Sequence, residues 1–225
     1  MTDVVVFGLG KLAELAHFYF THDSDYRVVA FTSDDGGIYG GRFIGLPVVP
    51  FDKVEEHYPP DKFKMFVAIG YTQLNTTRAE KYYVAKKKGY ELVSYICSKA
   101  TYWDDLSMGD NCFILENQVI QPTVKIGNNV IIWSGNHFGH NVVIGDHCYI
   151  SSHVVLCGGV KVGPYSFIGV NATVRDEVII GEKCVIGAGA LILGDAPDKA
   201  VYVAKPTEIY RLDSASFERM MGISK

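Results

Sequence analysis

The sequence predicts an α/β domain of βαβ units followed by a parallel β-helix built from six-residue repeats. The first prediction comes from an aliphatic run near the N-terminus that leads through a glycine-containing turn into an amphipathic helix. The second comes from a large apolar residue that recurs at every sixth position from residue 108 to residue 192. A chain of 225 residues can bury two cores, so we expect one domain over residues 1–100 and another over 101–225.

Three apolar runs predict the parallel strands of the first domain, at residues 4–7, 27–32 and 64–69. The first run leads through Gly8-Leu9-Gly10 into a helix whose apolar residues recur at helical spacing. Ligands bind at the carboxyl ends of the strands in sheets of this kind. Asp34 and Gly70 follow the second and third runs, and we therefore expect them at the binding edge of the sheet.

The turn at Gly8 and Gly10 is an incomplete dinucleotide fingerprint, because Ala13 stands where GxGxxG has its third glycine. A nicotinamide-dependent enzyme would also need a second domain with chemistry of its own, whereas this chain continues as a repeat. We therefore favour a nucleotide or a nucleotide sugar over NAD as the ligand, and a purely structural turn stays open. Asp34 could bond a ribose or a base edge, although two acidic residues after a strand are also typical of a solvated turn.

The repeat has a short period of six residues and a long period of eighteen. The large apolar residues are Met108, Ile114, Ile120, Ile126, Ile132, Phe138, Ile144, Ile150, Leu156, Val162, Ile168, Val174, Ile180, Ile186 and Ile192. Glycine follows every third one, at Gly109, Gly127, Gly145, Gly163 and Gly181. Three hexads therefore form one coil of a triangular prism, with coils stacked at about 4.8 Å. We expect these glycines to turn the corners with positive φ.

Composition and charge exclude several classes of function. The net charge of -4 is spread along the chain and offers no basic surface for a nucleic acid. Five cysteines without a CxxC spacing favour reduced thiols over disulfides or a zinc site. No apolar run approaches about 18 residues, and no basic stretch precedes the N-terminal apolar one. We expect a cytoplasmic protein that binds neither nucleic acid nor membranes.

The chain resembles the bacterial sugar acyltransferases of the NeuD type. The resemblance rests on the hexads, on the segments 136–146 and 186–190, and on the opening FGLGKLAELAHFYF. It implies a left-handed β-helix, a homotrimer, and transfer of acetyl from acetyl-CoA to an amino group, at C4, of a dTDP- or UDP-linked amino-dideoxy sugar. Such a reaction belongs to the biosynthesis of lipopolysaccharide or another surface glycan. O-acetylation of sialic acid or a related sugar is the alternative within the family.

The resemblance also implies roles for residues on the acetyl-CoA side. His140 matches the catalytic base of the family, a task that suits an imidazole because it titrates near neutral pH, and His137 would orient the substrate or assist. Gly158 would offer its amide to the thioester carbonyl. The acetyl-CoA cleft would be lined by Val170 and Ala188, with Tyr149 where some relatives have a CoA-contacting histidine. Asn141 stands where some relatives place an acidic residue beside the base.

On the nucleotide side the resemblance implies contacts from one set of residues around the sheet edge. They are Gly8, Gly10, Asp34, Gly70 and Tyr71, with Asn75 and Arg78 as weaker candidates.

Two functions of another class stay open. Some β-helices hold zinc between histidines of adjacent subunits and hydrate carbon dioxide, but the coil of eighteen places Gly158 below His140 and Gly135 above His153, so we expect no metal. A non-catalytic sugar-binding module would keep the repeat and cleave no thioester. We expect His147 and His153 to be outward-facing corner residues.

The hexad pattern ends at Asp195. Beyond it we expect a short strand near Val201 and a closing helix through Phe217 and Met220. A solenoid needs its open end covered, so these elements are expected to cap the prism.

Overall fold

A computed structural model describes residues 1–35 and 41–223. The N-terminal sheet has the strand order β3-β4-β2-β1-β5, and all its pairings are parallel except that of β3 with β4. Its strands are β1 (Thr2–Phe7), β2 (Tyr26–Ser33), β3 (Arg42–Phe43), β4 (Leu46–Pro50) and β5 (Lys64–Val67). The accompanying helices are α1 (Lys11–His22), α2 (Val54–His57) and α3 (Thr76–Lys87). Among the described residues, no helix has the length and apolar character needed to span a bilayer.

The central strand β1 is buried on both faces, as its continuous aliphatic run predicts. Its side chains divide between two apolar clusters on opposite faces of the sheet. One cluster contains Phe20 from α1, and the other contains Tyr82 from α3. The predicted βαβ organisation of this region is therefore confirmed.

The rest of the chain winds through strands of two residues each. They are β6 (Tyr95–Ile96), β7 (Ser107–Met108), β8 (Phe113–Ile114), β9 (Val119–Ile120), β10 (Lys125–Ile126), β11 (Ile131–Ile132), β12 (His137–Phe138), β13 (Val143–Ile144), β14 (Tyr149–Ile150), β15 (Val155–Leu156), β16 (Lys161–Val162), β17 (Phe167–Ile168), β18 (Thr173–Val174), β19 (Ile179–Ile180), β20 (Val185–Ile186), β21 (Leu191–Ile192) and β22 (Val201–Tyr202). Face I contains β6, β8, β11, β14, β17, β20 and β22; face II contains β9, β12, β15, β18 and β21; face III contains β7, β10, β13, β16 and β19.

The register confirms the predicted coil of eighteen residues. Lys125 pairs with Val143, and Val143 pairs with Lys161, all in parallel. The second residue of each strand points into the prism, where the predicted apolar residues form one continuous core. The architecture is the left-handed parallel β-helix that the resemblance implied.

The expectation of positive φ at the corner glycines is wrong. The φ angles of Gly109 and of its four equivalents lie outside the left-handed region, which is occupied two residues later in each coil, for example by Asn111 and Asn129. A Cβ at Gly109 would lie 2.4 Å from Oδ1 of Asn128 in the next coil. Glycine is needed there because the coils approach closely, and the left-handed position falls mainly to residues such as asparagine that tolerate it.

The N-terminal region packs against face I. The outward side chains of Phe113, Ile131 and Tyr149 belong to the same apolar cluster as Phe20 and Phe66 of the N-terminal sheet and helix. The strand β6, which precedes residue 100, already pairs with β8 as part of face I. The two regions therefore share a core at their junction.

The C-terminal segment matches the expectation only in part. The short strand β22 extends face I by pairing with β20, as predicted. The helix α4 (Ser214–Met220) begins at Asp213, whose carboxylate accepts a hydrogen bond from the backbone N–H of Ser216 at 2.7 Å. No residue of α4 is buried, and Phe217 is 42% exposed. The prediction that this helix caps the prism is therefore wrong, and Ala200 and Tyr202 pack against the end of the core instead.

Candidate active site

The glycine turn lies at the carboxyl end of β1 and leads directly into α1. Gly8 has a φ of +122°, and a Cβ there would lie 2.7 Å from the carbonyl oxygen of Ala68, so only glycine fits. Gly10 precedes α1 without a side-chain cap, which leaves the first amides of the helix facing the open edge of the sheet. Lys11 follows at once and is exposed. Free amides and a lysine at a helix N-terminus suit a phosphate group.

Unpaired polar groups lie at the carboxyl end of the neighbouring strand β2. The hydroxyls of Thr32 and Ser33 are buried and have no hydrogen-bond partner in the described part of the chain. Buried polar groups are normally satisfied, so the contacts of the described residues leave these two hydroxyls unexplained. Asp34 follows at the predicted edge position, and its carboxylate pairs with Lys81 at 2.7 Å.

An aromatic groove runs from the glycine turn to the corner between faces I and II. A cavity of 460 Å³ is lined by Lys11, Leu12, Leu15, Gly70, Trp133 and Tyr149. A second cavity of 380 Å³ is lined by Tyr71, Trp133, Tyr149, Ser151, Ser152, Phe167, Gly169, Val170 and Ala188. Because Trp133 and Tyr149 line both cavities, the two adjoin.

The groove brings together several of the predicted residues. The ring of Tyr71 lies 5.0 Å from the rings of both Tyr149 and Phe167, and these two stack at 5.5 Å. The sequence reasoning missed Lys11 and Trp133 as site residues. Lys11 could have been found from its position directly after the glycine turn. Trp133 could not, because only the fold places it against the N-terminal region.

His140 lies at the corner between faces II and III and is exposed. A Cβ on Gly158 would lie 2.8 Å from Nε2 of His140, so the imidazole covers Gly158 as the coil of eighteen predicts. The backbone N–H of His140 donates to Oε1 of Gln121 at 2.8 Å. Nδ1 of the ring lies 3.2 Å from the side-chain amide of Asn141. The backbone of His140 is thus held by Gln121 of the preceding coil, while its ring contacts Asn141 and covers Gly158.

The amide of Gly158 is already engaged. Its N–H donates to Oδ1 of Asp176 in the next coil at 3.1 Å. The amide was expected to be available to the thioester carbonyl, and in this structure it is not. A role as oxyanion donor therefore requires the Asp176 carboxylate to move away.

The residues predicted on the acetyl-CoA side lie at two different edges of face II. Val170 and Ala188 line the corner between faces I and II, whereas His140 lies at the corner between faces II and III. His137 faces outward from face II, half-buried, between the two corners. Strand β12 of face II lies between Gly135 at the first corner and His140 at the second. One chain by itself therefore does not bring His140 to the cleft.

Asn75 and Arg78 are not ligand contacts, and the predictions for them are wrong. Both side chains are fully buried. Arg78 donates from Nη1 to the carbonyl oxygen of Gly70 at 2.7 Å and from Nη2 to that of His147 at 2.9 Å. Asn75 donates to the carbonyl oxygen of Tyr165 at 2.9 Å. The two side chains fasten α3 to the corner between faces III and I, which removes them from the binding surface.

His147 belongs to the same junction, and the expectation that it faces outward is also wrong. Its Nδ1 lies 2.8 Å from the side-chain amide of Asn129, and its Nε2 lies 3.0 Å from the hydroxyl of Tyr83. Burial lowers the pKa of His147 to about 4, so the ring is neutral at neutral pH. The ring of His153 instead covers Gly135, as the coil predicts. Within residues 1–35 and 41–223, no three or more His, Cys, Asp and Glu side chains gather as a metal site.

The family model of the bacterial transferase hexapeptide (six repeats) matches residues 123–158 and 159–194. These two segments each cover two coils of the β-helix. No match was found among curated protein sequences.

Several solved structures share the whole fold. A mutant of perosamine N-acetyltransferase from Caulobacter crescentus, in complex with CoA and GDP-perosamine, is 27% identical, with a TM-score of 0.80 over 93% of this chain and 97% of that chain. The acetyltransferase domain of PglB from Neisseria gonorrhoeae is 22% identical, with a TM-score of 0.75 over 88% and 94%. WeeI from Acinetobacter baumannii is 19% identical, with a TM-score of 0.76 over 93% and 100%. The hexapeptide model and the 27% identical N-acetyltransferase confirm the resemblance to hexapeptide-repeat sugar acyltransferases that the sequence indicated, and the other two structures share the fold.

Proposed function

We propose that this chain is an N-acetyltransferase that moves an acetyl group from acetyl-CoA to the amino group of a nucleotide-linked amino-dideoxy sugar. The observation that carries the proposal is the continuous groove from the glycine turn to the corner lined by Val170 and Ala188. Such a groove offers one ligand a place for phosphates at one end and for a sugar at the other. The 27% identical perosamine N-acetyltransferase, which binds CoA and GDP-perosamine, supports this substrate class.

The nucleotide sugar would lie with its phosphates at the start of α1, near Lys11. The free hydroxyls of Thr32 and Ser33, together with Asp34, would face its nucleoside. The apolar side of a deoxy sugar would pack on the aromatic rings of Tyr71 and its neighbours, which suit a hexose that carries a methyl group. In this arrangement residues 1–100 supply most of the nucleotide site, and residues 101–225 supply the acetyl-transfer site.

The reaction requires the amine to be neutral when it attacks the thioester carbonyl. His140 would accept the proton that the nitrogen loses as the C–N bond forms. The C–S bond then breaks, and the thiolate of CoA leaves and takes up a proton. Gly158 would donate its amide to the transient oxyanion once Asp176 has moved, and His137 on the adjoining face would orient the substrate.

A homotrimer would complete this site. Because His140 and the cleft at Val170 and Ala188 lie at opposite edges of face II, a neighbouring chain is needed to bring the two together. Face II and its edge also carry exposed apolar side chains, with Leu191 63% and Leu193 53% exposed, which suits a covered surface.

Mixed oligomers test the shared site. His140→Ala and Ala188→Trp would each inactivate the enzyme alone, the second by filling the cleft. If each site combines His140 of one chain with the cleft of another, a 1:1 mixture refolded together regains about a quarter of wild-type activity. No recovery, or a monomer in sedimentation at the assay concentration, would contradict the shared site.

The activity itself is tested by release of the CoA thiol. The panel of acceptors contains dTDP-, UDP- and GDP-linked 4-amino sugars and, for the alternative O-acetylation, sialic acid. We expect turnover with a 4-amino sugar and a loss of about 100-fold in kcat for His140→Ala, with His22→Ala as the exposed control. If no acceptor of the panel causes thiol release, the proposal is overturned. If only sialic acid causes it, the function is O-acetylation instead of N-acetylation.

We place this reaction in the cytoplasm, in the synthesis of lipopolysaccharide or another surface glycan. Acetyl-CoA and nucleotide sugars are both supplied inside the cell, which supports this location. The N-acetylated nucleotide sugar would then serve a glycosyltransferase.

A further inference from the structure

The side chains of Thr123 and Asn141 form a chain of close polar contacts that ends at the ring of His140. Oγ1 of Thr123 lies within hydrogen-bond distance of the carbonyl oxygen of Pro122 and 2.6 Å from Oδ1 of Asn141. The same Oγ1 accepts the backbone N–H of Asn141 at 3.1 Å. Nδ2 of Asn141 in turn lies 3.2 Å from Nδ1 of His140. Both Thr123 and Asn141 hold left-handed backbone angles, with φ of 67° and 61°, at the same corner of consecutive coils.

Counting protons decides how these contacts are made. Thr123 has one hydroxyl proton. If that proton goes to the Asn141 oxygen, the hydroxyl oxygen and the Pro122 carbonyl oxygen face each other with no proton between them. If it goes to Pro122 instead, the Asn141 amide turns by half a rotation, its NH₂ donates to Oγ1 and its oxygen accepts from Nδ1–H of His140. Only the second arrangement gives each of the four contacts a proton and uses both lone pairs of Oγ1.

We propose that Thr123 and Asn141 are positioning residues that hold His140 in the tautomer with its proton on Nδ1. This inference deepens the proposed acetyl transfer and rests on it for its catalytic meaning. The tautomer leaves the lone pair of Nε2 free, and Nε2 lies over Gly158 together with Cε1. A general base must present a lone pair to the proton it removes, so the opposite tautomer would present an N–H and be inactive at this position.

The groups that orient the His140 imidazole in this way, the Thr123 hydroxyl and the Asn141 amide, are neutral. An amide oxygen orients the imidazole without placing a negative charge beside it, so it does not stabilise the imidazolium as a carboxylate would.

The tautomer is measured directly from the ¹⁵N chemical shifts of the imidazole in histidine-labelled protein, with the His140 signals assigned by His140→Gln. We expect Nδ1 protonated and Nε2 unprotonated in the wild type, opposite to histidine free in water. Thr123→Val keeps the shape of the side chain and removes the hydroxyl, so the Nε2–H form should become populated. Thr123→Ser should restore the wild-type pattern. A proton on Nε2 in the wild type, or a pattern that Thr123→Val leaves unchanged, would overturn the proposal.

Kinetics provide a second readout. We expect Thr123→Val to lower kcat about tenfold with KM for both substrates within about twofold, and Thr123→Ser to recover it. Asn141→Asp keeps the acceptor oxygen and adds a charge, so the acidic limb of the kcat/KM profile should move up by about one pH unit. An unmoved limb would mean that Asn141 does not contact the base. If no acceptor is acetylated at all, the NMR result still decides the tautomer of His140. Failure of the proposed function can therefore be distinguished from failure of the positioning role of Thr123 and Asn141.

Discussion

Arg78 offers the sharpest test of how the two regions are held together. Its guanidinium is fully buried at the junction, and its partners are neutral oxygens rather than a carboxylate. Burial lowers the pKa of Arg78 to about 10, which still leaves the side chain charged at neutral pH. We expect Arg78→Met, which keeps most of the side-chain volume, to destabilise the whole chain.

The magnitude follows from the four shortest contacts of the guanidinium. They run to Gly70 O at 2.7 Å, His147 O at 2.9 Å, Asn75 Oδ1 at 3.0 Å and Cys148 O at 3.1 Å. Hydrogen bonds to a charged group contribute about 1.5–3 kcal/mol each, while burying the ion costs several kcal/mol that the methionine would not incur. The difference gives an expected loss of about 3–5 kcal/mol in the free energy of unfolding.

The assay is urea unfolding followed by far-UV circular dichroism and by tryptophan fluorescence. Arg27→Met is the matched control, because Arg27 is an exposed arginine that pairs with Asp3 at 2.7 Å on the surface. We expect that control to keep the wild-type midpoint. A loss below about 1 kcal/mol for Arg78→Met would refute the reasoning, since the carbonyl groups would then be satisfied without the guanidinium.

Three further predictions concern the site and the junction. Gly158→Ala would place a Cβ 2.8 Å from Nε2 of His140 and displace the ring, so steady-state kinetics should show kcat reduced about tenfold at unchanged KM for the nucleotide sugar. The pKa of His147 is about 4 in the folded chain and 6.5 when unfolded, so the unfolded state binds the proton first as the pH falls. Stability should therefore fall by about 2–3 kcal/mol from pH 6.5 to 4, a slope that His147→Asn should flatten in urea titrations. Tyr71→Ala should weaken nucleotide-sugar binding about tenfold in calorimetry, whereas Phe18→Ala, an exposed control, should not.

The winding of the β-helix could be predicted residue by residue from the sequence. Each coil contacts only its neighbours, so residues eighteen apart decide the structure and the pattern is local. The role of the corner glycines could not be predicted in the same way. The spacing shows that position 109 requires glycine. It does not show whether the reason is a positive φ or a close approach to Asn128, because either requirement selects glycine.

The positions of several candidate site residues could be predicted, because they follow from strand ends and coil positions. Gly8, Asp34 and Tyr71 lie at the predicted sheet edge, and Val170 and Ala188 lie on one corner.

The wrong predictions for Asn75, Arg78 and His147 concern residues at the junction where the two regions meet. Nothing in the spacing of α3 indicates that Arg78 points at the β-helix. One signal was available: the outward positions of the first five strands of face I are Tyr95, Phe113, Ile131, Tyr149 and Phe167. Face III has Ser107, Lys125, Val143, Lys161 and Ile179 at the same places, none of them aromatic. A prism face with large apolar residues on its outer side must be covered.

The junction also explains why the groove can act as one site. The glycine turn belongs to the N-terminal sheet, while Trp133 and Tyr149 belong to the β-helix, so the distance between phosphate and sugar positions depends on how rigidly the two regions are joined. Arg78 and the neutral His147 lie on the opposite side of face I from this groove, at the corner between faces III and I, and hold α3 there. Protonation of His147 would put a second positive charge beside the Arg78 guanidinium. Binding of the nucleotide sugar should therefore weaken as the pH falls toward 4 before the whole chain unfolds, and His147→Asn should delay that loss.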